Sequence, residues 1–178
     1  SKVGSYTSPA QKVYNPAEFT SNLATLNKEI ASTEQRISSY AAYGIDTSAA
    51  TQNIASAKTK SSAAQAAGSG NIITANANLE AGEAFLVNAE RSLALAGLKA
   101  ANANIVSIDK AADTLYERKW NSEAQYLETK VTSMKYSYDS LAAVYNSGGN
   151  PDTVKLDALV TDSYTVLAKA NEYLEKSE

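Results

Sequence analysis

From residue 19 onward the apolar side chains recur in steps of three and four. Phe19, Leu23, Leu26, Ile30, Thr33, Ile37 and Tyr40 form the first such run. That spacing places them on one stripe of an α-helix, and no strand pattern can produce it. The chain keeps this period almost to its end and breaks it only at short joints. An all-α fold of antiparallel helices follows, because each stripe must be buried against another.

The joints are written in capping residues. Asn15-Pro16-Ala17-Glu18 reads as a helix start, with Asn as N-cap, Pro in the first turn and Glu placed to close a capping box. Gly44 stops the first helix, since glycine takes the left-handed conformation past a helix end at little steric cost. Asp46 or Thr47 caps the next. GSGN at 68–71 and SGGNPD at 147–152 are further breaks. With only 3 Pro and 8 Gly in 178 residues, the segments between can be long.

The second stripe, Ala50, Ile54, Ala57, Ser61 and Ala64, is made almost wholly of small residues. A hairpin turning near residue 69 sets Ala57 against Gly82, Ile54 against Phe85 and Leu86, and Ala50 against Ala89. Small then meets small, as closely approaching helices require. A turn near Trp120 pairs Leu115 with Leu127, Ile108 with Met134 and Ala101 with Leu141. Asn121 would be its left-handed cap, and Ser122 with Gln125 a capping box. The competing reading is a helix running straight through residue 121, with the break at Gly97.

The layout expected is helices near 15–43, 46–67, 71–120, 122–146 and 152–176. They form antiparallel bundles: two three-helix bundles sharing a long central helix, or one compact four- or five-helix bundle. Residues 1–14, which carry Gly4 and Pro9 and no period, read as a loose arm. The stripe phase slips after Gly97, which divides an Ala-rich part at 15–97 from a Tyr-rich part at 98–178. Residues 1–97 hold seven basic and seven acidic side chains; residues 98–178 hold nine and twelve, with seven of the 11 Tyr.

Composition narrows the chemistry. The chain has no Cys and no His, which removes thiolates, zinc–sulfur sites, the commonest general base and the commonest metal ligand. A net charge of −3, with both signs spread along the chain, supplies no field for nucleic acid or an anionic membrane. No apolar run approaches the ~20 residues of a membrane span. The chain opens at SKVGSYTSPAQ without a signal peptide, which reads as a mature or trimmed N-terminus. It contains no Asn-x-Ser/Thr sequon.

Few motifs point to a site. Ser107-Ile-Asp-Lys110 matches the Ser-x-x-Lys of serine acylases without their accompanying motifs. The carboxylate pairs Glu80/Glu83, Asp109/Asp113 and Asp113/Glu117 lie at helical spacing but with cations interleaved, as on a solvated face. No catalytic residue, metal ligand or cofactor is expected. The densest cluster is Tyr116, Glu117, Arg118, Lys119 and Trp120. In a continuous helix Tyr116 and Trp120 would share a face beside Arg118 and Lys119, able to stack on a sugar or hold an anion. Tyr43 is the one residue of the YAAYGIDTSAA joint without a structural duty, and so a candidate contact. Surface tyrosines such as Tyr136, Tyr145 and Tyr173 suit adhesion or packing between molecules.

Tyr43, Gly44, Ile45, Asp46, Thr47 and Ser48, followed by a small-residue helix, the turn at Gly68–Asn71 and a second Ala-rich helix, resemble helical-hairpin segments of archaeal cell-surface and secreted proteins. The resemblance covers about residues 40–93 and implies a place outside the membrane, in an envelope or secreted protein, with no catalytic residue carried over. The function expected is a non-enzymatic extracellular module that spaces, adheres or binds a protein partner or itself. The alternatives are a small-ligand-binding helical ectodomain and a reversible lipid-surface binder. A cytoplasmic location stays open.

Overall fold

The computed structural model describes residues 15–178, so the arm expected at 1–14 lies outside the described residues. The described chain is all-α. Its helices are α1 (Pro16–Ala42), α2 (Ser48–Ala67), α3 (Ile72–Glu117), α4 (Asn121–Asn146) and α5 (Thr153–Lys176), with a single 3-10 turn at Gly68–Asn71. None of them is long and apolar enough to cross a membrane.

The caps behave as local chemistry dictates. The Glu18 N–H donates to Asn15 Oδ1 at 2.9 Å, and the Asn15 N–H donates to Glu18 Oε2 at 3.3 Å. This is a reciprocal capping box with Asn in the usual Ser/Thr place. Asp46 Oδ1 accepts from the Ser48 N–H at the start of α2, and Asp152 Oδ1 accepts from the Lys155 N–H at the start of α5.

α1, α3 and α4 end in one and the same hydrogen-bond pattern. The Gly44 N–H reaches Ala41 O and the Ile45 N–H reaches Tyr40 O; Gly148 and Gly149 reach Tyr145 and Val144 likewise. Both are Schellman closures with a left-handed glycine, at φ 77° and 88°. The third closure, at the end of α3, corrects the sequence reading. The Lys119 N–H donates to Tyr116 O and the Trp120 N–H to Leu115 O, and the left-handed residue is Lys119, at φ 66°. Asn121 is instead the first residue of α4, whose N-cap Trp120 makes no side-chain cap bond, so the Ser122–Gln125 box does not form. α3 also runs unbroken through Gly97, because a helix tolerates glycine where close packing needs it.

Contacts divide the chain into two units. Of the described residues, one comprises those up to Glu34 together with Thr51–Ala89; the other comprises Gln35–Ala50 and Glu90–Glu178. The division is discontinuous in sequence, unlike a single cut at residue 97, because α1, α2 and α3 each contribute to both.

In the first unit Phe19, Leu26 and Ile30 of α1 are buried with Ile54, Ala57 and Ala64 of α2 and Ala75, Leu79 and Leu86 of α3. The expected meeting of Ala57 and Gly82 is present: a Cβ on Gly82 would lie 3.5 Å from Ala57 O and 2.9 Å from Leu26 Cδ2. Glycine here lets Leu26 occupy the space over α3.

The second unit holds one larger cluster. Leu115, Leu127, Ile108, Met134, Ala101 and Leu141 are all buried in it, as the turn near Trp120 requires, with Leu156, Leu159, Val160 and Val166 from α5. A buried polar pair crosses it: Asn104 Nδ2 donates to Ser163 Oγ at 3.1 Å, and Ser163 Oγ donates to Val160 O at 2.8 Å.

Candidate functional site

The residues picked from sequence do not converge. α3 ends at Glu117 and the backbone reverses at Lys119, so Tyr116 and Trp120 lose the helical i, i+4 relation that would align them. The half-buried Trp120 packs against the core of the second unit. Tyr116 is exposed, and its hydroxyl donates to Glu128 Oε2 at 2.8 Å; that hydrogen bond to a carboxylate raises its pKa. Arg118 turns to the end of α5, donating to Leu174 O at 3.1 Å and Ser177 Oγ at 2.7 Å. Only Lys119 and Trp120 meet, around a 420 Å³ hollow completed by Asn121, Ser122 and Glu123. The expected anion or sugar face is thus taken apart by the reversal.

Tyr43 has a structural duty after all. Its ring stacks on Tyr164 of α5, centroids 4.4 Å apart and planes 13° from parallel. Tyr164 also lines a 460 Å³ cleft with Gly44, Ile45 and Asp46 of the joint and Leu95 and Lys99 of α3. Sequence could not reveal this pairing, because the two tyrosines are 121 residues apart.

The remaining motifs are equally ordinary. Ser107 donates to Ala103 O on its own helix, so its hydroxyl is not directed at Lys110. Asp109 pairs with Lys135 of α4 at 2.9 Å. Among the described residues no group of three or more acidic side chains is arranged to hold a metal ion.

What sequence reading missed is the role of arginine. The chain has three, Arg36, Arg91 and Arg118, and each guanidinium ties together segments far apart in sequence. Arg36 makes a bidentate bridge to Asp157, Nε to Oδ2 at 2.8 Å and Nη2 to Oδ1 at 3.0 Å. The Tyr40 hydroxyl donates to the same Oδ1 at 2.7 Å. Burial, and then the bond to Asp157, push the Tyr40 hydroxyl pKa well above its ordinary value. Burial opposes the Arg36 charge but is outweighed by Asp157 and Tyr40, which leave its pKa raised. Arg91 Nη1 donates to Gly148 O and Gly149 O at 3.0 and 2.9 Å, and its guanidinium lies 4.5 Å from the Tyr145 ring centroid. The planar fork suits the grip on Asp157 in particular; lysine carries its donors on one nitrogen and could not make two parallel bonds from two nitrogens to both carboxylate oxygens.

The surface tyrosines divide. Tyr145 lies under Arg91, and Tyr173 meets Tyr126 edge to face at 6.3 Å with Lys169 Nζ 4.8 Å above its ring. Tyr136 stands 80% exposed. Compared with known proteins, the chain matches no family model, no curated protein and no solved structure.

Proposed function

We propose that the chain is a non-enzymatic helical module of a cell-envelope or secreted protein, acting by spacing, adhesion or protein contact. The observation that carries this reading is the use of the three arginines. The side chains best suited to gripping an anionic substrate instead tie α1 to α5 (Arg36), hold the joint between α4 and α5 (Arg91) and hold the end of α5 (Arg118). A chain braced in this way is suited to holding surfaces in fixed positions. Support for a place outside the membrane comes from the low charge, the Ser, Thr, Asn and Tyr content, and the resemblance at residues 40–93.

The test is protease shaving of intact source cells, read with an antibody to this chain. Loss of the signal before lysis supports an exposed module. A signal protected until lysis, or a turnover activity abolished by one polar substitution, overturns the reading.

A further inference from the structure

Antiparallel α4 and α5 leave a 430 Å³ groove between them, within the size range of small-ligand sites. Its lining combines three kinds of group. Ser133, Ser137 and Ser140 lie at i, i+4 and i+7 on α4, and so form one row. Thr129, one turn earlier, folds its hydroxyl onto Gln125 O. Among the hydrogen bonds of the described residues, none engages the three serine hydroxyls. Each is therefore able to donate and accept outward.

Lys155 and Asp162 face the groove from α5, seven residues or about 10.5 Å of helix rise apart. Neither is in a salt bridge among the described residues, in contrast to Lys135, Lys169 and Lys176. Beneath them Met134, Leu141 and Leu159 make an apolar floor, and the Tyr136 ring stands at the groove 80% exposed.

These features select among ligand classes. An anion suits Lys155 but is repelled by Asp162, and a cation meets the reverse. A neutral polyol uses both, since its hydroxyls donate to a carboxylate and accept from an ammonium. A sugar ring also has an apolar C–H face, which fits the floor and an exposed tyrosine ring. We propose that the α4–α5 groove binds a neutral carbohydrate, with Tyr136 as stacking platform and the serine row, Lys155 and Asp162 as hydrogen-bonding partners. The inference goes beyond the module reading and does not depend on the compartment.

The test is a titration of the ¹⁵N-labelled chain with D-glucose, D-galactose, D-mannose, N-acetyl-D-glucosamine, lactose and maltose. Each is taken to about 50 mM, beyond the millimolar range of weak single-site binding. Glycine, triglycine and phosphate are run beside them. A supporting result is saturable amide shifts confined to residues 133–141 and 155–162 with at least one sugar. Tyr136→Ala and Asp162→Asn should each weaken that binding about five-fold or more, at unchanged melting temperature. The proposal is overturned if no sugar saturates, if the shifts map elsewhere, if both variants bind as before, or if triglycine or phosphate occupies the groove instead. Surface shaving decides the module reading separately, so the two can fail independently.

Discussion

Replacing Gly97 with alanine tests the packing of the second unit through the sign of its effect. Gly97 lies inside the 46-residue helix α3, where exchanging glycine for alanine ordinarily stabilises by about 1 kcal/mol. Here the added Cβ would sit 2.7 Å from Tyr40 Cε2, 2.9 Å from its hydroxyl oxygen and 3.1 Å from Cζ. The ring cannot swing aside freely. It is 2% exposed, and its hydroxyl is held at 2.7 Å by Asp157, which Arg36 grips in turn. Overpacking of this kind costs about 1–3 kcal/mol. Losing a hydrogen bond to a charged group adds about 1.5–3 kcal/mol where the ring is forced off Asp157. Against the helix gain, the net expected is a loss of about 1.5–5 kcal/mol where the bond to Asp157 is lost, and of up to about 2 kcal/mol where it is kept. Urea unfolding followed by far-UV circular dichroism measures it. In a Tyr40→Leu background the three crowding atoms are gone, and Gly97→Ala should then stabilise. A Gly97→Ala chain more stable than the parent in the unmodified background would refute the reasoning.

Three further outcomes follow from the same contacts. Lys119→Gly should stabilise by about 1 kcal/mol in the same urea assay, because it relieves a left-handed residue bearing a Cβ; an unchanged or lowered midpoint would contradict the closure described for α3. Arg91→Ala should cost about 1–3 kcal/mol through the loss of its bonds to Gly148 and Gly149 and its contact with Tyr145, with Arg91→Lys recovering less than half. Glu172 accepts from Lys169 and Lys176, and those two hydrogen bonds hold its pKa down to about 2. Because the folded value is depressed, the interaction is complete above the ordinary carboxylate pKa and is lost as pH falls toward 2. Carboxyl ¹³C titration should show this, and Lys169→Ala should move the Glu172 value upward.

The helix ends were legible because they are made by neighbours. Asn15 and Glu18, Gly44, and Asp46 with the Ser48 N–H each act within five residues, so the pattern of residues carries the geometry. The turn near Trp120 was legible only through register: apolar positions on either side matched, although no glycine or proline stood there. Its details were misjudged for the same reason. Three hydrogen-bonded closures share one backbone form, and the third accepts lysine where the other two have glycine. Gly97 is the opposite case. A local reading takes it for a break, but its reason is a tyrosine 57 residues earlier in the chain.

By itself, then, the amino-acid order determined the class of fold, the positions of the helices and the small-to-small meeting of Ala57 and Gly82, since period and capping are short-range properties. Only the tertiary structure decided that Arg36 and Tyr40 converge on Asp157, that Tyr43 stacks on Tyr164, and that the cluster at Tyr116–Trp120 is split. It likewise decided that Ser133, Tyr136, Lys155 and Asp162 face one groove. Those groups come from different helices, and which faces meet depends on how the stripes interlock, a property of the packed chain rather than of any one segment.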